Sequence, residues 1–277
     1  MTQIEIAILI TVHNRKEKTI ECLNNLYNQN IDENVNFKIY LVDDGSTDGT
    51  TDAINSMFPK VRVIKGDGTL YWNRGMYLAW TEALKDGGFD YYIWLNDDTF
   101  LYNSALRSLV ESAKRFPNYI IVGSTSARGD ISKITYGGYS NKELISEFRS
   151  DSVVECDYFN GNIVLVPTYV VDKIGILDPY FRHSFGDFEY GMRAKKYGIH
   201  TNTIGIIGSC DRNSPYVKWM NPKVSVFRRL KILYSPLGFN PFESYRISLY
   251  DSKKNAILTF VYLHLKAIFP RLFKQYR

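Results

Sequence analysis

Asp97 and Asp98 end the run Tyr91-Tyr92-Ile93-Trp94-Leu95-Asn96, so two adjacent carboxylates fall where an apolar strand surfaces at the carboxyl edge of a sheet. Ligands of open α/β sheets bind outside that edge, and a hard divalent cation that also holds phosphate oxygens is commonly anchored by one or two carboxylates. The competing explanation is that Asp98-Thr99 caps a helix beginning near Asn103. Two neighbouring like charges repel, so a cation beside them is the economical reading of a pair.

Two further segments bear on what such a cation would serve. Thr11-Val12-His13-Asn14-Arg15-Lys16 follows the first apolar run and contains no glycine. Without the G-x-G-x-x-G turn or the G-x-x-x-x-G-K-[ST] loop, the backbone there does not cradle a pyrophosphate, and positive charge for one must come from elsewhere. A cation on Asp97 and Asp98 supplies it. The second segment, Asp43-Asp44-Gly45-Ser46-Thr47-Asp48-Gly49, is a turn cluster after another apolar run. It reads either as an ordinary turn with a helix cap or as a ligand loop. Together they point to a nucleotide diphosphate, with the first loop on the nucleoside, the second-strand Asp on the base or ribose, and the cation on the phosphates.

The elements that must position these residues alternate. Ile4 to Val12 is a β-rich apolar run, and Arg15 to Gln29 places Ile20, Leu23, Leu26 and Tyr27 at helical spacing. Phe37 to Val42 predicts a strand, Thr51 to Met57 a short helix, Val61 to Lys65 a strand, Arg74 to Lys85 a helix, Tyr91 to Leu95 a central strand, Ser104 to Phe116 a helix and Ile120 to Gly123 a strand. That order implies an α/β fold with a mostly parallel, Rossmann-like sheet flanked by helices. From Gly123 to Val154 short polar and Gly-rich pieces suggest hairpins or a mobile loop. Asn162 to Val166 predicts a strand, Thr168 to Ile174 and Phe188 to Tyr197 helices, and Thr201 to Ile207 the strand that closes the body. Pro215, Pro222, Pro236 and Pro241 then precede a mostly helical stretch from Phe242 to Phe269, which places a boundary near residue 215.

With 277 residues, 45% apolar and 23% charged, the chain is long enough for a substantial core and has an ordinary globular composition. Tyr (21) and Phe (16) are plentiful enough to suit a surface that stacks on rings or touches lipid headgroups. Cys22, Cys156 and Cys210 are odd in number and widely spaced, which argues against a disulfide framework or a zinc ribbon and for a reducing compartment. Ile4 to Val12 is too short for a secretory signal, so a cytoplasmic location is expected. The formal charge of +5 is unevenly spread: residues 216–277 carry twelve Lys or Arg against two acids, and residues 1–215 carry a balance of −5. An acidic body of this kind does not suit nucleic acid.

Ile8-Leu-Ile-Thr-Val-His-Asn-Arg15, Leu41-Val-Asp-Asp-Gly-Ser-Thr-Asp48, Leu95-Asn-Asp-Asp98 and the segment Leu177 to Arg193, which contains His183-Ser-Phe-Gly-Asp-Phe-Glu189, together resemble a family 2 glycosyltransferase of the GT-A fold. The likeness covers about residues 4 to 210. It implies a nucleotide-sugar donor, Mn²⁺ or Mg²⁺, inversion at the anomeric carbon, and a catalytic domain over 1–215 with a nucleotide-sugar half (about 1–100) and an acceptor half (about 101–215). By position, Thr11 and Asn14 would lie against the nucleoside with His13 and Arg15 in the same loop, Asp43 would bond the base, and Asp44 would support that loop. Gly66, Asn73 and Arg74 would face the same edge, with Asn96 beside the carboxylates. Asp97 and Asp98 would be the D-x-D equivalent, with Asp98 favoured as the direct metal ligand. Many relatives complete the metal shell with a histidine where Gly208-Ser209-Cys210-Asp211 stands here, so Asp211 or water would substitute. Relatives often read Glu-Asp-x-Asp where this chain has Gly186-Asp187-Phe188-Glu189. Asp187 is the preferred base, Glu189 the other choice, and first-turn helix acids the structural alternative. Asn160, Gly161 and Asn162 would border the acceptor, a glycan or lipid-linked oligosaccharide of bacterial surface polysaccharide assembly. His200 reads as structural.

Asn255 to Phe269 is mostly apolar and too short at fifteen residues to cross a bilayer. Tyr262, Leu265, Phe269 and Leu272 recur among Lys254, Lys266, Arg271, Lys274 and Arg277, which suits either a helix lying on an anionic membrane or a helical subdomain packed on the body. A nucleotidyltransferase of sugar phosphates and a catalytically silent GT-A module that binds carbohydrate or membrane remain the competing classes, and the oligomeric state is not legible.

Overall fold

The computed structural model describes residues 3–148, 153–212 and 218–273. The expected boundary near residue 215 lies outside the described residues, as do Lys274 and Arg277. The chain begins with β1 (Ile4–Val12), α1 (Lys16–Tyr27), β2 (Val35–Asp43), α2 (Thr50–Met57), β3 (Arg62–Lys65), α3 (Tyr71–Asp86) and β4 (Tyr91–Leu95). β1 pairs in parallel with both β2 and β4, and β3 adds to β2. Side chains of β1 alternate between two cores because both faces of the sheet are covered. Ile6, Ile8 and Ile10 pack with Leu23 and Leu26 of α1 on one side, while Ala7 and Leu9 pack with Met76, Ala79 and Trp80 of α3 on the other.

The chain continues through β5 (Phe100–Leu101), α4 (Ala105–Arg115), β6 (Ile120–Ala127), β7 (Asp130–Tyr136), β8 (Gly138–Ser140), β9 (Glu143–Leu144), β10 (Val154–Glu155), β11 (Tyr158–Phe159), β12 (Ile163–Pro167), α5 (Thr168–Ile174), α6 (Gly186–Lys196) and β13 (Thr201–Ser209). The main sheet runs β10-β13-β6-β12-β4-β1-β2-β3. It is largely parallel, but β12 lies antiparallel between β4 and β6. The mostly parallel sheet expected from the strand-helix alternation is thus present, with this strand inserted in the opposite direction. β6 also extends four residues past Gly123. Its buried Ser124, Thr125 and Ser126 hide that extension in a hydropathy pattern, and their hydroxyls are paired inside the sheet, Ser124 Oγ with Thr203 Oγ1 at 3.1 Å and Thr125 Oγ1 with Thr135 Oγ1 at 2.9 Å.

Beyond β13 come α7 (Val226–Leu233), α8 (Pro241–Ser248) and α9 (Lys253–Ile268). Trp219, Met220, Leu233, Leu263 and Ala267 form a small core of their own. Ion pairs dock these helices on the body: Arg182 to Glu243 at 2.8 Å, Arg246 to Asp178 at 2.6 Å and Lys142 to Asp251 at 3.1 Å. Among the described residues no helix is long and apolar enough to cross a membrane. The three cysteines are free and buried.

Candidate active site

The register that pairs Val12 with Asp43 and Leu9 with Trp94 brings the ends of β1, β2 and β4 to one edge. A cleft of about 720 Å³ opens there, and its wall includes Thr11, His13, Arg15, Asp44, Asn96, Asp97, Asp98, Asn160, Gly161, Asn162 and Asp187. Thr11 and Asp187, 176 positions apart in sequence, thus share one cavity.

Arg15, at the start of α1, reaches both carboxylates with one nitrogen: Nη1 lies 3.0 Å from Asp97 Oδ1 and 2.8 Å from Asp98 Oδ2. Asp97 is 5% exposed, and its Oδ2 is buried with no hydrogen-bond partner among the described residues. Burial pushes its carboxyl up to about 7, against the opposing pull of Arg15. Asp98 Oδ1 accepts from the Cys210 thiol at 3.6 Å, and burial followed by the nearby Asp98 charge lifts that thiol to about 12. Two adjacent carboxylates, one with an unpartnered oxygen, fit a hard divalent cation that completes its shell with phosphate and water. Asp211 does not join them: it is absent from the cleft wall and its Oδ1 accepts the Arg128 amide at 2.9 Å. Among the described residues no three His, Cys, Asp or Glu side chains are grouped to hold a metal ion by themselves.

The first two loops are locked to each other. His13 Nδ1 donates to the Asp44 carbonyl at 2.6 Å, which leaves Nε2 to accept from Asn14 Nδ2 at 3.1 Å. Asn14, at φ 51°, takes the Thr47 amide on Oδ1 and stays off the cleft wall. Asp43 also stays off it, because its oxygens are spent on the Ser46 amide and the Thr51 hydroxyl. Asp44 takes the wall position instead. Its carboxylate accepts the amides of Gly68 (2.8 Å), Leu70 (3.3 Å) and Tyr71 (2.8 Å), and so fixes the start of α3 three residues earlier than its sequence suggests. Gly66 is needed for packing, since a Cβ there would stand 2.7 Å from Asp44 Oδ1.

Asn73 and Arg74 do not reach the cleft. Asn73 Nδ2 holds the carbonyls of Asp178 and Phe181, each at 2.8 Å, and Arg74 Nε holds Pro179 O at 2.8 Å. Both fasten the loop that leads into α6. A Cβ on Gly186 would meet Asn73 Oδ1 at 1.8 Å, which accounts for glycine beside Asp187. α6 starts at Gly186, not at Phe188, so Asp187 sits in its first turn and accepts the amides of Gly161 and Phe188, both at 2.9 Å. Burial still outweighs those bonds and raises the Asp187 carboxyl to about 6. Glu189, the second choice for a base, is withdrawn from the cleft. It is 4% exposed, chelated by Arg193 at 3.0 Å, and bonded by the Tyr250 hydroxyl at 2.7 Å.

Several wall residues carried no signal on their own. Tyr71 (φ 58°) and Phe185 (φ 72°) hold left-handed backbone that costs an ordinary side chain energy, a condition that clusters at functional sites. Their rings meet His183 and Phe239 respectively, and Leu237 and Phe239 bring the C-terminal helices to the rim. Burial and the nearby Arg15 depress the His183 pKa and so favour its neutral ring. Trp72 Nε1 fixes Asn96 Oδ1 at 2.7 Å. His200 pairs with Glu155 at 2.8 Å, just before β13, and is not part of the cleft wall.

A family model described as glycosyl transferase family 2 matches residues 7–169. No curated protein matches the sequence. Among solved structures, TarS residues 1–349 of S. aureus superposes with a TM-score of 0.57 at 11% identity, covering 95% of this chain and 72% of that one. The same fragment in complex with UDP-GlcNAc gives 0.58 at 12% identity, covering 96% and 74%. The mannosyltransferase PcManGT from Pyrobaculum calidifontis, in complex with GDP-Man and Mn²⁺, gives 0.56 at 14% identity, covering 95% and 74%. At such identities these likenesses establish a shared fold.

Proposed function

The chain belongs to glycosyl transferase family 2, and from that premise we propose that its cleft moves a sugar, with inversion, from a UDP- or dTDP-linked donor to a hydroxyl of a glycan or lipid-linked oligosaccharide in cell-surface polysaccharide synthesis. The observation that carries this reading is the shared wall. Asp187 and the Asp97–Asp98 pair line one cleft, whereas Glu189 is tied up behind it. The printed ligands of two structural neighbours, UDP-GlcNAc and GDP-Man with Mn²⁺, support a nucleotide-sugar donor and a divalent cation.

In this mechanism Asp187, as carboxylate, accepts the proton of the acceptor hydroxyl while that oxygen bonds to the anomeric carbon and the bond to the diphosphate breaks. The amides of Gly161 and Phe188 hold its two oxygens and so set their direction. Asn160 and Asn162 flank the acceptor hydroxyl. Thr11, His13 and Asp44 border the nucleoside, and the Arg15 guanidinium faces the diphosphate. Asp98 with Asp97 would hold Mn²⁺ or Mg²⁺, which would supply positive charge for the leaving diphosphate. The reaction is placed in the cytoplasm, and residues 216–277 form an extension whose Leu237 and Phe239 help to shape the acceptor entrance.

A panel of nucleotide sugars, assayed for nucleoside diphosphate release with and without Mn²⁺, tests the proposal. Metal-dependent release from a UDP- or dTDP-sugar is expected. Formation or consumption of a triphosphate would point to a nucleotidyltransferase, and no turnover with any donor and acceptor would leave a binding module.

A further inference from the structure

Helix α9 is built inside out. Its inner face is small, with Ala256, Leu263 and Ala267 buried, whereas Ile257, Leu258, Val261, Tyr262, Leu265 and Phe269 are 42–54% exposed on the outside. At about 100° per residue those six positions form one stripe roughly 140° wide, centred opposite the buried alanines. Leu272, 77% exposed, extends it past the helix end. A soluble surface helix normally shows the reverse order, with large apolar side chains inward and polar ones outward, and a continuous exposed apolar stripe marks an interaction surface.

Charge identifies what covers the stripe. Between Lys253 and Phe273 there are four basic residues, Lys253, Lys254, Lys266 and Arg271, and no acid. Lys266 sits over the Tyr262 ring at 4.3 Å, with its ammonium at the stripe margin. The two acids of the described extension, Glu243 and Asp251, are paired with Arg182 and Lys142 of the body, so neither is spent on Lys253, Lys254, Lys266 or Arg271. A second copy of this chain would bring the same cations against themselves. An anionic lipid surface takes both features, burying the apolar stripe below the headgroups and pairing with the basic margin.

We propose that the outer face of α9 seats in the interface of an anionic membrane, with Leu258, Tyr262 and Leu265 as the inserted anchors. The inference does not depend on the transfer reaction, and its test uses no sugar substrate. Full-length protein is floated with phosphatidylcholine vesicles and with vesicles that also contain phosphatidylglycerol. Binding is expected to the anionic vesicles, weakened by high salt. The triple substitution Leu258→Ser, Tyr262→Ser, Leu265→Ser is expected to lower the partition coefficient at least about tenfold. Lys254→Glu with Lys266→Glu, which leaves every large apolar side chain of the stripe in place, is expected to abolish the preference for anionic lipid. Because Lys254, Leu258, Tyr262 and Leu265 are exposed and Lys266 is partly so, melting curves of both variants should stay close to the parent. Equal binding to both vesicle types, no binding to either, or a dimer in sedimentation that the triple substitution dissolves would each overturn the proposal.

Discussion

The Tyr250 hydroxyl donates to Glu189 Oε1 at 2.7 Å, and the same carboxylate is gripped by Arg193, whose guanidinium also holds the carbonyls of Ile174 and Ile176. One buried acid thereby links the turn between α8 and α9, the end of α5 and the helix that begins at Gly186. Its geometry is that of a strut.

Glu189→Gln should therefore act on stability more than on chemistry. Removing the charge leaves Arg193 without its counter-ion in a mostly buried setting, at a cost of about 3 kcal/mol, and Tyr250→Phe should cost about 1 kcal/mol. Urea unfolding measures both. Turnover per folded molecule is expected to stay within about tenfold of the parent, since no proton passes through Glu189. A collapse of turnover in a well-folded Glu189→Gln protein would reassign the base.

Asp187→Asn should retain donor binding and lose about 10²- to 10⁴-fold in transfer rate. The parent's kcat/KM should fall as pH drops through about 6, where the carboxylate takes up a proton. Stability carries the opposite preference. A carboxyl raised by burial contributes stability that is complete below the ordinary Asp value of about 3.9 and is lost as pH rises through the folded value. Asp187→Asn should accordingly be more stable than the parent above pH 6, on the order of 1 kcal/mol, with the difference vanishing in acid. Melting temperatures across that pH range decide the sign.

Arg15 is the one cation bonded to both Asp97 and Asp98 among the described residues. Arg15→Ala leaves two close carboxylates uncompensated, so the metal-free protein should lose about 1–3 kcal/mol and regain part of it on titration with Mn²⁺. Calorimetry should show tighter Mn²⁺ binding to the variant than to the parent in the absence of nucleotide. Asp98→Asn should erase the Mn²⁺-induced thermal shift, and a shift that survived it would place the cation elsewhere.

Gly186→Ala drives a methyl into Asn73 Oδ1, which two hydrogen bonds to the 178–181 loop prevent from retreating. A loss of about 2 kcal/mol is expected, together with a drop in transfer as α6 shifts. Combining it with Asn73→Gly should give a total smaller than the two separate losses, because the clash is shared. Simple additivity in unfolding experiments would show that Gly186 is not constrained by Asn73.

How far the sequence led can be followed through particular residues. β1 and β4 are runs of apolar side chains buried on both faces, so their existence and the position of Asp97 and Asp98 after β4 were legible from composition alone. The start of α3 was not. Its cap is Asp44, on a different strand, and no local pattern announces a carboxylate arriving from 27 residues away. Likewise Asn73 and Arg74, which sequence position put at the donor edge, are diverted by carbonyls of residues 178–181, more than a hundred positions on.

The sequence by itself determined the order of strands and helices, the carboxylates that crown β4, the two acids near the start of α6 and the basic, apolar character of the C-terminal helices, because periodicity and local charge are properties of neighbours along the chain. Only the tertiary structure decided that Asp187 and not Glu189 opens on the cleft, that Arg15 bridges the carboxylate pair, that Asp44 displaces Asp43 from the wall and that the large side chains of α9 point outward. Each of those depends on which surfaces pack against which, and packing joins residues that the linear order keeps far apart.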